Sequence, residues 1–372
     1  MKIGIICPYN VFMPGGVQTL VADQSTELRR RGHQVVVITP RPQGYSGEPP
    51  QGTVFIGQSA RIRAQHTWVD VSASVDTDVI DRVLATEKFD LVHAHEPLIP
   101  FLAWQVLGRL YCPVIGTFHA SLPDSVFAKS IAGSIGPYKR SIFRRLNIVT
   151  AVSGAATSYL DGEIEPERIH IVPNGINVES FRLKKPPARD PHTILFVGRL
   201  EKRKGVRYLL DAFALLQPEL PHARLLIAGD GPERNRLEGM VRQRKLSGVK
   251  FLGSVSDKEK VELLSRCGLF TSPAPYGESF GIVLLEAMAA GAVVVAGANS
   301  GYESVLTGTG RLSLVDPRRG AEYARRLSLL LTDDQLQSVW RTWADRHVHQ
   351  FNFTSVVDQY ERLYEQLVPA LK

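Results

Sequence analysis

The chain has 372 residues, 44% hydrophobic and 22% charged, with a formal charge of +7 from 44 Lys and Arg against 37 Asp and Glu. This is the composition of a globular protein with room for two domains, each long enough to bury its own core, and the positive balance favours anionic partners. It excludes a disulfide scaffold, since Cys7, Cys112 and Cys267 lie far apart, and a membrane span, since no apolar run approaches the roughly 20 residues required.

Short apolar runs alternate with helix-period stretches. Lys2–Cys7 reads as a strand, Val17–Arg31 as a helix and Gln34–Thr39 as a strand. Strands are also expected at Leu91–His95, Val114–Phe118 and Ile148–Ala151. Runs of this kind, apolar throughout, suit parallel strands covered on both faces by crossover helices. Between Gln43 and Arg63, rich in Gly, Pro and Gln, a long loop is expected with one short strand at Thr53–Ile56. A helix is expected from Asp76 to Thr86, and Lys184–Pro191 reads as a linker. A second series opens with Thr193–Val197. It continues through helix Gly205–Leu216, strand Arg224–Ala228, helix Pro232–Lys245, strands near Val249–Leu252 and Leu269–Ser272, helix Ile282–Ala290 and strand Val293–Ala296. The expected fold class is therefore α/β. Two doubly wound units, 1–180 and 190–350, would face a central cleft, with ligands outside the carboxyl ends of the strands. The sparse cysteines and the early stop of Lys2–Cys7 at Pro8 point to a cytoplasmic protein.

Four stretches carry chemistry. Pro14-Gly15-Gly16-Val17-Gln18 follows the first strand and opens the first helix, where free amides can meet a phosphate. It lacks the full G-x-G-x-x-G pattern, which disfavours NAD. Gly198-Arg199-Leu200-Glu201-Lys202-Arg203-Lys204-Gly205 is a basic loop between a strand and a helix. Arg199 and Lys204 can converge on one diphosphate, the first as a fork and the second as a point charge. Gly277-Glu278-Ser279-Phe280-Gly281-Ile282-Val283 leads into a helix that carries Glu286 in an otherwise apolar run. A helical rise over the eight intervals puts the two carboxylates about 12 Å apart, the reach from a hexose to a ribose with a diphosphate between. A carboxylate so embedded needs a partner. His119 ends the strand Val114–Phe118, at a carboxyl edge where it can meet a substrate; His93 and His95 read as packing or supporting residues. Asp76-Thr77-Asp78 imitates a D-x-D metal motif but reads as helix N-terminal charge. Ile131, Ile135, Tyr138, Ile142 and Leu146 recur at helix spacing, with Lys139, Arg140, Arg144 and Arg145 off that line. A basic amphipathic helix of this kind can touch anionic lipid.

With these residues placed, the chain resembles the glycosyltransferases of family 4, which have the GT-B fold. The Gly-Gly turn, the Arg199/Lys204 clamp, the Glu278-x7-Glu286 spacing and the strand-end His119 match in order over nearly the full length. The tail Val348–Leu367 is similar to the family's closing helix, so residues 352–372 would complete the first domain. Cys7-Pro8-Tyr9, His95-Glu96-Pro97 and Glu278–Val283 look most like members that move mannose from GDP-mannose to phosphatidyl-myo-inositol. The resemblance implies retaining hexosyl transfer. Arg199 and Lys204 would hold the diphosphate, and Asp257 would lie near the guanine. Glu278 with the Phe280, Gly281, Ile282 and Val283 backbone would hold sugar and phosphate, and Glu286 the ribose. Tyr9, Gly15, Gly16, Gln18 and His119 would face the acceptor and the reacting centre. No cofactor is required, although Mg2+ can accompany the diphosphate. The expected partners are a nucleotide sugar (GDP-mannose or a UDP-sugar), a lipid or glycan acceptor and the surface of an anionic membrane, without nucleic acid. The chain departs from those members at Met13, Leu98 and Asp124, where an acidic residue, an asparagine and a lysine are expected. The alternatives are a UDP-sugar transferase on another acceptor, a sugar-nucleotide epimerase or phosphorylase, and a silent binding protein on the same architecture.

Overall fold

The computed structural model describes residues 1–13, 15–64, 67–74, 77–120, 136–160 and 162–369, with backbone alone for 60–64, 67–74 and 159. Pro14, Asp76, Asp124, Ile131 and Ile135, singled out above, lie outside the described residues. Two compact units form, Met1–Gly175 with Phe353–Lys372, and Ile176–Asn352.

The first unit is built on a sheet ordered β4-β3-β2-β1-β5-β6-β7-β8. Its inner strands are β1 (Lys2–Ile6), β5 (Leu91–His95) and β6 (Val114–Phe118), almost entirely buried, flanked by β2 (Gln34–Arg41) and by β7 (Ile148–Ala151) with β8 (Ile169–Ile171). All of these pair in parallel. The stretch expected to be mostly loop is instead a hairpin: β3 (Thr53–Ala64) pairs in parallel with β2, and β4 (Thr67–Ser74) runs antiparallel to β3. The Gln, Ser and Arg residues of β3 interrupt the apolar run by which a fully covered strand is recognised. A second correction concerns Lys139. It is buried in helix Gly136–Phe143, with its ammonium 5.8 Å from the Phe143 ring centre, while Arg140, Arg144 and Arg145 are exposed.

Helix Phe353–Leu367 packs Val356, Val357, Tyr360 and Tyr364 into the same core as Ile3, Ile5 and Val37. Its buried Tyr364 hydroxyl lies 2.8 Å from His93 Nδ1 and accepts from Gln24 Nε2 at 3.1 Å. Tyr364→Phe is expected to lower the stability of this unit by about 1–2 kcal/mol, because two buried polar groups lose a partner. A lower urea midpoint at unchanged slope is the check.

The second unit has six parallel strands ordered β11-β10-β9-β12-β13-β14. They are β9 (Asp190–Val197), β10 (Arg224–Ala228), β11 (Val249–Gly253), β12 (Cys267–Ser272), β13 (Val293–Gly297) and β14 (Leu314–Val315). Leu195, Phe196, Leu269, Phe270 and Val294 are fully buried at its centre. The loops after β9 and β12 leave the same carboxyl edge, since the two strands are parallel neighbours. Among the described residues no helix is long and apolar enough to cross a membrane.

Candidate functional site

At that edge β9 gives way to Gly198 and Arg199, the short turn Lys202–Lys204 follows, and Gly205 starts helix Val206–Leu216. Gly205 has a φ of 71°, and a β-carbon there would lie 2.9 Å from the Pro273 carbonyl carbon. Glycine is therefore required both by backbone and by space. Glu201, buried inside this basic loop, holds Arg199 Nε at 3.2 Å and Arg203 Nε at 2.9 Å. Arg203 donates on to Glu278 Oε1 at 2.8 Å and to the Gly277 carbonyl at 3.2 Å. Lys204 Nζ stands 2.8 Å from the same Glu278 oxygen. Three cations thus alternate with two carboxylates and leave an excess of one positive charge, with Arg199 half exposed. Such a row can accept an anion without first discharging itself.

Glu278 precedes helix Ile282–Ala289, capped by Gly281 at φ 114°. Among the described residues no side chain caps this end, so its leading amides lack a capping oxygen. The Phe280 side chain is buried against Phe351, so only its backbone faces this end. The 12 Å spacing expected from helical rise does not apply to the whole span, because the helix begins at Ile282, after Glu278.

Along the same helix Glu286 meets Lys260 Nζ at 3.0 Å, and Lys260 also reaches Asp257 at 3.3 Å and the Phe181 ring at 5.4 Å. Burial raises the Glu286 carboxyl above its ordinary range, and Lys260 works against that rise. For Lys260, burial favours loss of the proton but the carboxylates outweigh it, so its affinity for the proton goes up. Lys260→Met is expected to push Glu286 further up. A nucleotide that needs Glu286 ionised would then bind the variant more weakly than the unaltered protein, and the more so the lower the pH. Titration calorimetry with GDP between pH 6 and 8 is the check. Asp257 is fully exposed at the start of helix Asp257–Arg266.

In the first unit Tyr9 is half-buried against the core after β1, and its carbonyl accepts from Thr39. Gly15 and Gly16 start helix Gly16–Arg30; the Gln18 side chain folds over Gly15, and Gly16 is open to solvent. His119 is buried and bonded elsewhere. Its Nε2 lies 2.8 Å from His95 Nδ1 and its Nδ1 3.2 Å from Asn174 Oδ1. Glu96 Oε1 accepts the main-chain amides of His119 and Ala120, both at 2.7 Å. His93 and His95 stack at 4.3 Å, and His93 Nε2 continues to Thr117 Oγ1 at 2.6 Å. Burial pulls His119 down to about 4 and His93 to about 3, and lowers His95 too. Burial also pushes Glu96 up to about 7.

Each histidine is neutral in the fold and gains a proton on unfolding below its ordinary 6.5. That stability is present above 6.5 and is lost as pH falls toward the folded values. Glu96 acts oppositely: it favours the fold below 4.5 and loses this as pH rises through about 7. Three protons against one leaves a net uptake of two on unfolding near pH 5.5, a loss of about 2–3 kcal/mol per unit of acidification. Urea midpoints at pH 7, 6 and 5 measure it, and His93→Phe should flatten the slope.

Glu201, Arg203 and Lys260 are contributors to which sequence reasoning gave no role of their own. Glu286 announced its need for a partner but not which lysine would supply it, 26 residues away in the chain.

Residues 177–347 match the family described as glycosyl transferases group 1, and residues 14–180 match glycosyltransferase family 4. The phosphatidyl-myo-inositol mannosyltransferase of Mycolicibacterium smegmatis is 34% identical over 382 residues, covering 98% of this chain and 94% of that one. The protein of the same name from Propionibacterium freudenreichii is 31% identical, with 82% and 80% covered. Among solved structures, Anabaena Alr3699/HepE in complex with UDP and glucose superposes with a TM-score of 0.77 at 19% identity, covering 99% of this chain and 100% of that one. Two Rossmann-like units, a basic loop and a glutamate-led helix on the second sheet, and these relatives together identify the chain as a member of glycosyltransferase family 4, with the GT-B fold.

Proposed function

We propose that this glycosyltransferase is a retaining mannosyltransferase that moves mannose from GDP-mannose to phosphatidyl-myo-inositol or a related lipid-linked polyol. The observation that carries the reading is the pair of Arg203 and Lys204 on Glu278 at the start of helix Ile282–Ala289, with Glu286 farther along it. A nucleoside diphosphate sugar carries its groups in that order. The diphosphate would lie over the leading amides with Arg199 and Lys204, the hexose against Glu278, the ribose diol against Glu286 and the base near Asp257. As the glycosidic bond lengthens, charge grows on the leaving phosphate, where fixed cations stabilise it most. The same phosphate takes the acceptor proton from the face it departs, which retains configuration and needs no protein nucleophile. His119 would hydrogen-bond a hydroxyl beside the reacting carbon, and Tyr9, Gly15, Gly16 and Gln18 would face the acceptor. The relatives' names support mannose and phosphatidyl-inositol. The net positive charge and the exposed Arg140, Arg144 and Arg145 support contact with an anionic membrane surface at the cytoplasmic face.

Met13, exposed in the loop after β1, and Leu98 favour a second reading of the acceptor, with another lipid or glycan in place of the inositol lipid. Calorimetry with GDP-mannose, UDP-glucose and UDP-N-acetylglucosamine, followed by transfer from the tightest donor to phosphatidylinositol vesicles, separates the two. Transfer of mannose with retained configuration supports the first. Donor binding without transfer to that lipid supports the second, and no binding of any donor overturns both.

A further inference from the structure

The His119 ring is held from both sides before any substrate arrives. Asn174 presents its Oδ1 to Nδ1, so Nδ1 carries the proton and Nε2 keeps its lone pair. His95 must then donate its Nδ1 proton to that lone pair, at 2.8 Å with the ring planes 18° apart. This leaves His95 Nε2 bare. It is fully buried and finds no hydrogen-bond partner among the described residues. A buried polar atom left unpaired destabilises the fold, so its retention calls for a reason. Register supplies the geometry. His95 pairs with Thr117 across β5 and β6, which sets His119 one position past the end of β6 and beside it. Glu96, the next residue, fixes the His119 main chain.

We propose that His95 is a positioning residue that, beside the Asn174 that sets the tautomer, aims the His119 Nε2 lone pair, so that a sugar or polyol hydroxyl can take over the place of the His95 N–H. This rests on the reading that His119 meets the reacting centre. The resting His95 N–H stands in for a substrate O–H: one hydrogen-bond donor is exchanged for another, and no proton leaves either ring. His93 stacks on the far side of His95 and limits its tilt.

The test uses the full chain, with nitrogen-15 histidine spectra of the unliganded protein and turnover with GDP-mannose and phosphatidylinositol vesicles. The expected spectrum shows His119 Nε2 unprotonated and, in His95→Phe, the same tautomer held by Asn174 alone, with the Nε2 resonance shifted by loss of its hydrogen-bond donor. His95→Phe should lower kcat by about 10- to 100-fold, with the GDP-mannose affinity within about twofold of the parent. Its thermal midpoint should stay close to the parent's, because the unpaired His95 Nε2 is gone while His119 Nε2 loses its donor. His95→Asn places an amide N–H near the former Nδ1 and should recover turnover to within about fivefold; His95→Gln places it near Nε2 and should not. The Asn and Gln pair keeps the test open if the Phe variant does not fold. A protonated His119 Nε2 in the parent, or Asn and Gln variants of equal turnover, overturns the proposal. If His119→Ala keeps full turnover, the reading of His119 itself fails and the positioning role falls with it. A parent inactive on this substrate pair counts against the proposed donor and acceptor, while the spectra still decide the tautomer.

Discussion

Lys204→Ala is expected to lower kcat by about 10²- to 10³-fold, the largest kinetic effect of any single side chain here. Lys204 is only 16% exposed, sits 2.8 Å from Glu278 and lies at the turn into helix Val206–Leu216. A compact ammonium so placed can follow charge from Glu278 to a leaving phosphate with little motion of its stem. On the proposed donor reading, removing it takes away a cation where charge grows only as the bond breaks, so kcat should fall more than donor affinity. Arg199→Ala should behave similarly, since Glu201 already holds its guanidinium at the rim of the loop. Arg203→Ala should differ. Arg203 ties Glu201 to Glu278 and to the Gly277 carbonyl, so its loss should loosen the loop and weaken donor binding along with turnover. Steady-state kinetics with calorimetric donor affinities separates the two patterns. A Lys204→Ala protein with full kcat would remove the diphosphate from this loop.

The particular residues explain what was legible in advance. The strands β1, β5, β6 and β12, and β9 from Thr193 to Phe196, are buried on both faces, so their apolar runs stand out without any knowledge of neighbours. The turns are equally local: a glycine at a strand end followed by cations, or a glutamate and glycine before an apolar helix, signals anion chemistry at a sheet edge. The hairpin β3–β4 was missed because its polar residues break up the apolar signal. Charge pairing was missed for a different reason. Glu201 reads as one acid in a basic loop, yet it is the buried centre on which Arg199 and Arg203 are hung. Lys260 reads as an ordinary surface lysine of helix Asp257–Arg266, and only the packing of that helix beside Glu286 gives it a function. Likewise His119 was placed at the right strand end, but its ring partners lie on another strand and beyond β8. Local chemistry is written in local sequence, whereas the choice of partner for a buried polar group is made by tertiary packing.

Gly301→Ala is expected to cost about 1–3 kcal/mol of stability and about 10²-fold in turnover, from one added methyl group. A β-carbon at 301 would lie 2.6 Å from the Glu278 carbonyl carbon and 2.9 Å from the Phe280 amide nitrogen. Both are main-chain atoms, so no side chain can rotate aside. The segment bearing Glu278 must move, or helix Ser300–Val305 must. That helix is poorly placed to yield, because Tyr302 is fully buried with its hydroxyl 2.6 Å from Ser272 Oγ. The ring of Tyr302 also closes the space beside Gly281, where a β-carbon would lie 2.7 Å from it. The movement therefore falls on Glu278 and on the start of helix Ile282–Ala289, the two features that the donor reading uses most. Gly239→Ala is the matching control. It adds the same methyl in the interior of helix Arg234–Gln243, with no atom within 4 Å of the new β-carbon, and should stabilise by about 0.5–1 kcal/mol through helix propensity while leaving turnover alone. Opposite signs from one chemical change would show that the space around Gly301 is reserved for the backbone of the site. If Gly301→Ala kept parental turnover and stability, the Glu278 segment would be free to move, and its role as a fixed sugar holder would fail.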